Sequence, residues 1–221
     1  MANQLIELSL FELKKNLFHS KAWLSNAMFL LVNMSIFPFT MNLDSSDILS
    51  QFFLSVIMTS MLLGIVLITS HIFDEDANDG SLDQYAIFGV KFYIVFLSKV
   101  IITSVEFVLI ISVSLPLAAL FYSVPFDIIW KIWLAIILST PLLASISVFG
   151  AILTINFHKN STVAILLTFP LLISALIILS LAAGRIIETS NFIEALPYLE
   201  MNLGLACLLI PPLCWLAKHL G

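Results

Sequence analysis

Charge is scarce in this chain, and the scarcity decides its class. Only 10% of its 221 residues are charged, against about 25% in an average soluble domain. With 61% hydrophobic residues and a mean hydropathy of +1.10, the sequence reads as an integral membrane protein. Catalytic signatures are missing as well. No H-E-x-x-H, no G-x-S-x-G and no pair of aspartates within an apolar run occurs, which removes the usual intramembrane hydrolase arrangements. No G-x-x-x-x-G-K-[ST] loop is present to cradle phosphates on backbone amides, so any ATP-driven role needs a separate ATPase. The C-x-x-C-H haem attachment pattern is absent too. Two cysteines, Cys207 and Cys214, stand seven apart on one apolar run. On a helix that is roughly 10 Å of rise, beyond disulfide reach, and both are expected as buried apolar side chains.

What is present is a series of six apolar segments, each near the roughly 20 residues that cross hydrocarbon as a helix. They cover Ala22–Met41, Ser50–Ile72, Ile94–Phe121, Ile129–Asn156, Ser161–Ala183 and Met201–Ala217. Ahead of them, Ile6, Leu10, Leu13 and Leu17 form a narrow apolar stripe among Glu7, Glu12, Lys14, Lys15 and His19. That pattern predicts a helix over 1–20 lying along the membrane surface, and it does not resemble a cleaved signal. Connections are short, the longest on the outer side being Gly184 to Glu200. There Ile186, Ile187, Phe192, Ile193 and Leu196 suggest a short surface helix.

Lysines and arginine set the expected orientation. Lys14, Lys15, Lys21, Lys91, Lys99, Lys159 and Lys218 fall on one side or its flanks, and only Lys131 and Arg185 on the other. The positive-inside rule then places both termini in the cytoplasm. Within the spans, Pro116, Pro141, Pro170 and the pair Pro211-Pro212 each remove a backbone hydrogen bond and predict bends. Ala144, Ser147, Gly150 and Ala151 offer a small-residue face for close helix approach. Trp130 and Trp133 read as interfacial anchors.

The one long polar interruption is Phe73 to Gly89, with Asp74, Glu75, Asp76, Asp79 and Asp83 and no base among them. This acidic stretch accounts for much of the net charge of −5, which points neither to nucleic acid nor to an anionic membrane surface as partner. Ser81 followed by Gln84 is a capping-box pattern, so a short helix is predicted to start at Leu82. Gly80 permits the turn before it, and Gly89 ends it. Glu106 is the one carboxylate inside a span, seven residues from Lys99 on a similar face, and the two form a candidate polar pathway. The histidines His19, His71, His158 and His219 all fall at helix ends, with none at mid-membrane. No metal site and no resident cofactor is expected.

Gly80-Ser81-Leu82-Asp83-Gln84, with Lys99 at the start of the next span, resembles the Gly-Thr/Ser-x-Glu/Asp-x signature and downstream Gly-Lys of the ABC-2 type exporter permeases. Glu12-Leu13, Phe37-Pro38, Asp79 to Leu82, Leu97 to Lys99, Thr140-Pro141 and Leu153-Thr154 extend the resemblance nearly end to end, to the CcmB family of heme exporter permease subunits. Ala144 and Ser147 depart from the glycines of that family, and Ser174 from its second proline.

The resemblance implies one all-α transmembrane domain over 1–221: an interfacial helix, six spans, and a coupling segment over 73–89 that docks on an ATPase. Asp79, Gly80, Ser81, Leu82, Asp83, Gln84 and Tyr85 would make that contact. It further implies an inner-membrane, multi-pass subunit of the cytochrome c maturation machinery, present in two copies. The ATPase CcmA, with CcmC and CcmD, would be its partners, and heme or the chaperone CcmE its cargo. Two other classes compete on the residues alone: an ion-coupled secondary carrier, which needs polar residues gathered at the midplane, and a non-transporting membrane scaffold.

Overall fold

The computed structural model describes residues 22–40, 46–73, 80, 91–156 and 161–220. They form long helices, with no strand among the described residues: α1 Ala22–Thr40, α2 Ser46–His71, α3 Phe92–Tyr122, α4 Phe126–Asn156, α5 Ser161–Thr189 and α6 Leu196–Leu220. One turn of 3-10 helix, Phe192–Ala195, precedes α6. In hydrocarbon every backbone N–H and C=O must be satisfied within the chain, so an apolar run of this length has the helix as its stable form. Stretches of α2 to α6 are long and apolar enough to cross a membrane, and the apolar part of α1, Leu24–Thr40, is shorter. The chain is a multi-pass, all-helical membrane protein. The helices expected over 1–20 and from Leu82 lie outside the described residues.

Helix α4 is the hub and packs on α2, α3, α5 and α6. Of its apolar stretch 72% is buried, against 22% for α6, which forms an outer face. The small-residue face of α4 explains its position. A Cβ on Gly150 would stand 2.8 Å from Cγ2 of Thr168, so α5 crosses α4 in a contact where any larger residue forces the Thr168 side chain to shift. Ser147, on the same face, shares a 2.6 Å hydrogen bond with Thr69 of α2. Cys207 and Cys214 are unpaired, but Cys207 is exposed and Cys214 only half-buried. The expected burial fails because both ride on α6, the least covered helix.

The helices run through their prolines. Pro38 lies inside α1, which continues to Thr40, close to the expected limit at Met41. Its missing N–H frees the carbonyl of Met34, four residues earlier. The hydroxyl of fully buried Tyr122, the last residue of α3, donates to that carbonyl at 3.1 Å. A neighbouring helix thus supplies the hydrogen bond that proline removes.

The end of the bundle where α3 passes to α4 and α5 to α6 is closed by hydrogen bonds. Ser123 adopts a left-handed conformation (φ 54) and ends α3, with the Val124 N–H bonded to the Ala119 carbonyl at 3.2 Å. Ser190 (φ 51) ends α5 in the same way. Asn191 then accepts from the Ile193 N–H through its side chain at 3.1 Å. The surface helix expected around Ile186 to Leu196 is therefore shorter. Ile186 and Ile187 belong to α5, and only Phe192–Ala195 stands between the helices. Arg185 and Glu188, three apart, pair across one face of α5 and carry the helix past the point where the apolar run fades. Trp130 is exposed and bonds Asp127, as an anchor would. Trp133 instead turns inward to donate to Oγ of Ser112 on α3 at 2.9 Å.

Candidate coupling site at the acidic end of the bundle

The opposite end is built differently. Helix α2 finishes at His71, and Phe73 is buried at the root of the acidic stretch. The chain returns through Lys91, extended at φ −69 and ψ 132, whose carbonyl accepts from the Ile94 N–H at 2.8 Å. Phe73 belongs to one apolar cluster with Val95, Phe96 and Val100 of α3, Val148 and Ile152 of α4, and Leu213 of α6. This small apolar cluster adjoins the main core, and Ile72 and Leu209 pack against both.

Between the two clusters lies a seam of hydroxyls. Thr69 and Ser147 pair across it, and buried Thr103 and Thr140 face a cavity of about 10 Å³ that Ser147 also lines. That volume is about the least that holds a single water. Thr140 turns its hydroxyl to the Ile136 carbonyl at 2.7 Å, and it also lines a wider groove of about 310 Å³ between α3 and α4, beside Pro141. The groove is bordered by the Ile137 carbonyl's own residue, whose helical partner Pro141 has no N–H to offer.

Lys99 stands two turns into α3 and is only 4% exposed. Its ammonium lies over the Phe73 ring, 5.4 Å from the centroid. Glu106, one heptad further along α3, is half-buried. Of the residues expected at the coupling contact, Gly80 is the one described. It holds φ +69, with nothing within 4 Å of where a Cβ would stand. The positive φ is the conformation a tight turn before a capped helix asks of glycine. Asp79, Ser81, Leu82, Asp83, Gln84 and Tyr85 lie outside the described residues. Of the histidines, His71 closes α2 and His219 lies near the end of α6, while His19 and His158 lie outside the described residues. Among the described residues no three His, Cys, Asp or Glu side chains gather as a metal site would require.

Periodicity did not reveal Phe73 as part of this site. It reads as the first residue of the polar interruption, and only the fold carries its ring under Lys99. Asn202 was missed as well. It is fully buried on α6, donates to Oγ of Ser139 on α4 at 2.9 Å and to the Ala175 carbonyl on α5 at 3.4 Å, and leaves its own Oδ1 without a partner. A single Asn in an apolar run was the only signal for it.

The same arrangement can be set beside known proteins. The family model described as CcmB protein matches residues 3–217, nearly the whole chain. The chain belongs to the CcmB family. Within that family it is 30% identical over 152 residues to heme exporter protein B of Haemophilus influenzae, covering 69% of this chain and 68% of the relative. It is 28% identical over 163 residues to heme exporter protein B of Pseudomonas aeruginosa, covering 73% of each. To the Rhodobacter capsulatus protein of the same name it is 27% identical over 149 residues, covering 67% of this chain and 68% of the relative. The seam, the small cluster and Gly80 are thus features of a CcmB chain, and they place its polar interruption at one end of a hub-and-spoke bundle.

Proposed function

We propose that this chain is the membrane permease subunit of an ABC-type complex in cytochrome c biogenesis, coupling ATP hydrolysis by a separate subunit to heme export or to release of a heme-loaded chaperone. The observation that carries the reading is the CcmB family match over residues 3–217, together with relatives named heme exporter protein B. The absence of a phosphate-cradling loop from the sequence fits a subunit that borrows its ATPase. In this reading α1 to α6 are six spans of a single domain in the inner membrane, both termini face the cytoplasm, and 1–20 lies along the surface. The partners are the ATPase CcmA with CcmC and CcmD, CcmE is reached indirectly, and two copies of the chain meet the two ATP sites of the motor.

The coupling contact is the segment Asp79 to Tyr85. A motor that closes on ATP pushes against this segment, and the push reaches α3 and α4 through the small apolar cluster. Glu106, with Lys99 one heptad away, is the polar step along α3. The hydroxyl seam lets that end shift, because hydroxyls exchange partners where interlocked methyl groups resist sliding.

Gly80 supplies the test. Because nothing surrounds its missing side chain, a substitution there acts through the backbone alone. Gly80→Val, which rejects positive φ, is expected to abolish co-purification of the ATPase while the subunit still folds. Gly80→Asn, which tolerates the left-handed region, is expected to retain it. An unchanged complex with Gly80→Val would sink the proposal. ATP hydrolysis indifferent to this subunit would favour the scaffold or the carrier.

A further inference from the structure

We infer that Lys99 and Phe73 form the joint that fastens the acidic segment to the transmembrane body. The inference rests on the coupling reading for its purpose, but the joint itself stands on geometry. A lysine one or two turns into a span ordinarily extends its stem so that the ammonium reaches water. Here the residue is 4% exposed and its head is covered by a ring that is itself 3% exposed. A desolvated ammonium over an aromatic face at this range is a cation–π contact of the stronger kind. Phe73 lies two residues past the end of α2, directly before the run Asp74, Glu75, Asp76, and Lys99 lies on α3, the helix that follows the interruption. The contact therefore joins the root of the interruption to α3 directly.

The ring's other neighbours make the joint a means of transmission. Phe73 belongs to the apolar cluster that also holds Val148 and Ile152 of the hub helix and Leu213 of α6, so that one cluster joins the root of the interruption to three helices. The hydroxyl seam bounds that cluster on its inner side. A displacement of the acidic segment is thereby delivered to the ends of α3, α4 and α6 as a unit. Without the joint, the same displacement would be absorbed by the connection between α2 and α3. Lys99 is accordingly a positioning residue, acting through Phe73.

The test is limited proteolysis of the full chain in detergent with a Glu-specific protease, following cleavage after Glu75, with melting temperature as a check on folding. Lys99→Met and Phe73→Leu are each expected to speed cleavage about thirtyfold, the change that corresponds to losing a desolvated cation–π contact. Lys99→Arg and Phe73→Tyr keep a cation over a ring and are expected to cleave as wild type does. The double variant Lys99→Met/Phe73→Leu is expected to fall well short of the product of the two single effects, because both remove the same cation–π contact.

Equal cleavage in wild type and both single variants overturns the joint. So does a double variant whose effects multiply, or an Lys99→Arg protein as fast as Lys99→Met. In the assembled complex, Lys99→Met should leave the ATPase bound while raising the ATP consumed per cargo released. If no ATPase co-purifies with wild type and the cleavage pattern still holds, the joint stands and the ABC reading falls.

Discussion

The two ends of this bundle are finished by different physics. At the end holding Ser123 and Ser190, polar groups stitch helix to helix. Tyr122 covers the carbonyl that Pro38 frees, Lys131 bonds the Ser190 carbonyl at 3.0 Å and pairs with Asp127, and left-handed serines close two helices. At the acidic end, Phe73 and its apolar neighbours form a smaller cluster beside buried hydroxyls, with the Lys99 ammonium over the Phe73 ring. The inter-helix hydrogen bonds at the first end tie loops and helix ends to one geometry, whereas the buried hydroxyls beside the small cluster can exchange partners. That difference fits the coupling role proposed above, with the acidic end as the one that moves.

The sharpest way to break that comparison is topological. With cysteines introduced singly at Ser45 and Ser81, a membrane-impermeant reagent in intact cells is expected to label the first and not the second. The reverse pattern would turn the bundle over and place the acidic end away from any cytoplasmic motor. Stability comes next. Tyr122→Phe keeps the ring against Phe53, whose centroid is 5.6 Å away, but orphans the Met34 carbonyl. It is expected to cost about 2 kcal/mol in thermal unfolding. Pro38→Ala should recover most of that loss by restoring the N–H, and failure to do so would mean that the hydroxyl has another purpose.

Smaller effects sharpen the contrast. Gly150→Ala drives a Cβ against Thr168 and should cost about 1 kcal/mol, because a side chain rather than backbone must give way. Paired with Thr168→Ser, which removes the nearest methyl, the penalty should shrink. The smallest change is expected at Lys131→Met. Its carboxylate partner is largely solvent-exposed, so the melting temperature should stay close to wild type even though two loops lose a shared contact.

Much of the architecture was legible in the chain. Long apolar runs define helices without help from packing, and the start of α5 at Ser161 and the end of α4 at Asn156 coincide with the expected limits. The close approach of α5 at Gly150 was implied by the small-residue face. The positive φ of Gly80 was implied by its place before a capping box. Other features were not legible. Periodicity on one helix reports which residues share a face, and is silent on what that face meets. For that reason Trp133 was read as an interfacial anchor although it reaches α3, Cys207 as buried although α6 is an outer helix, and Ile186 as part of a loop although α5 carries it to a left-handed serine.

The sequence by itself determined that this protein is helical, membrane-embedded and interrupted once by acid, because hydrocarbon leaves an apolar run no other way to satisfy its backbone. The family signature lies in the same residues. Only the tertiary structure decided which helix became the hub, which hydroxyl answered Pro38, and that Lys99 turned to the Phe73 ring. These are contacts between segments distant in sequence. Each depends on the register at which two helices cross, and side-chain volumes and hydrogen bonds set that register when the helices pack, not the pattern along either one.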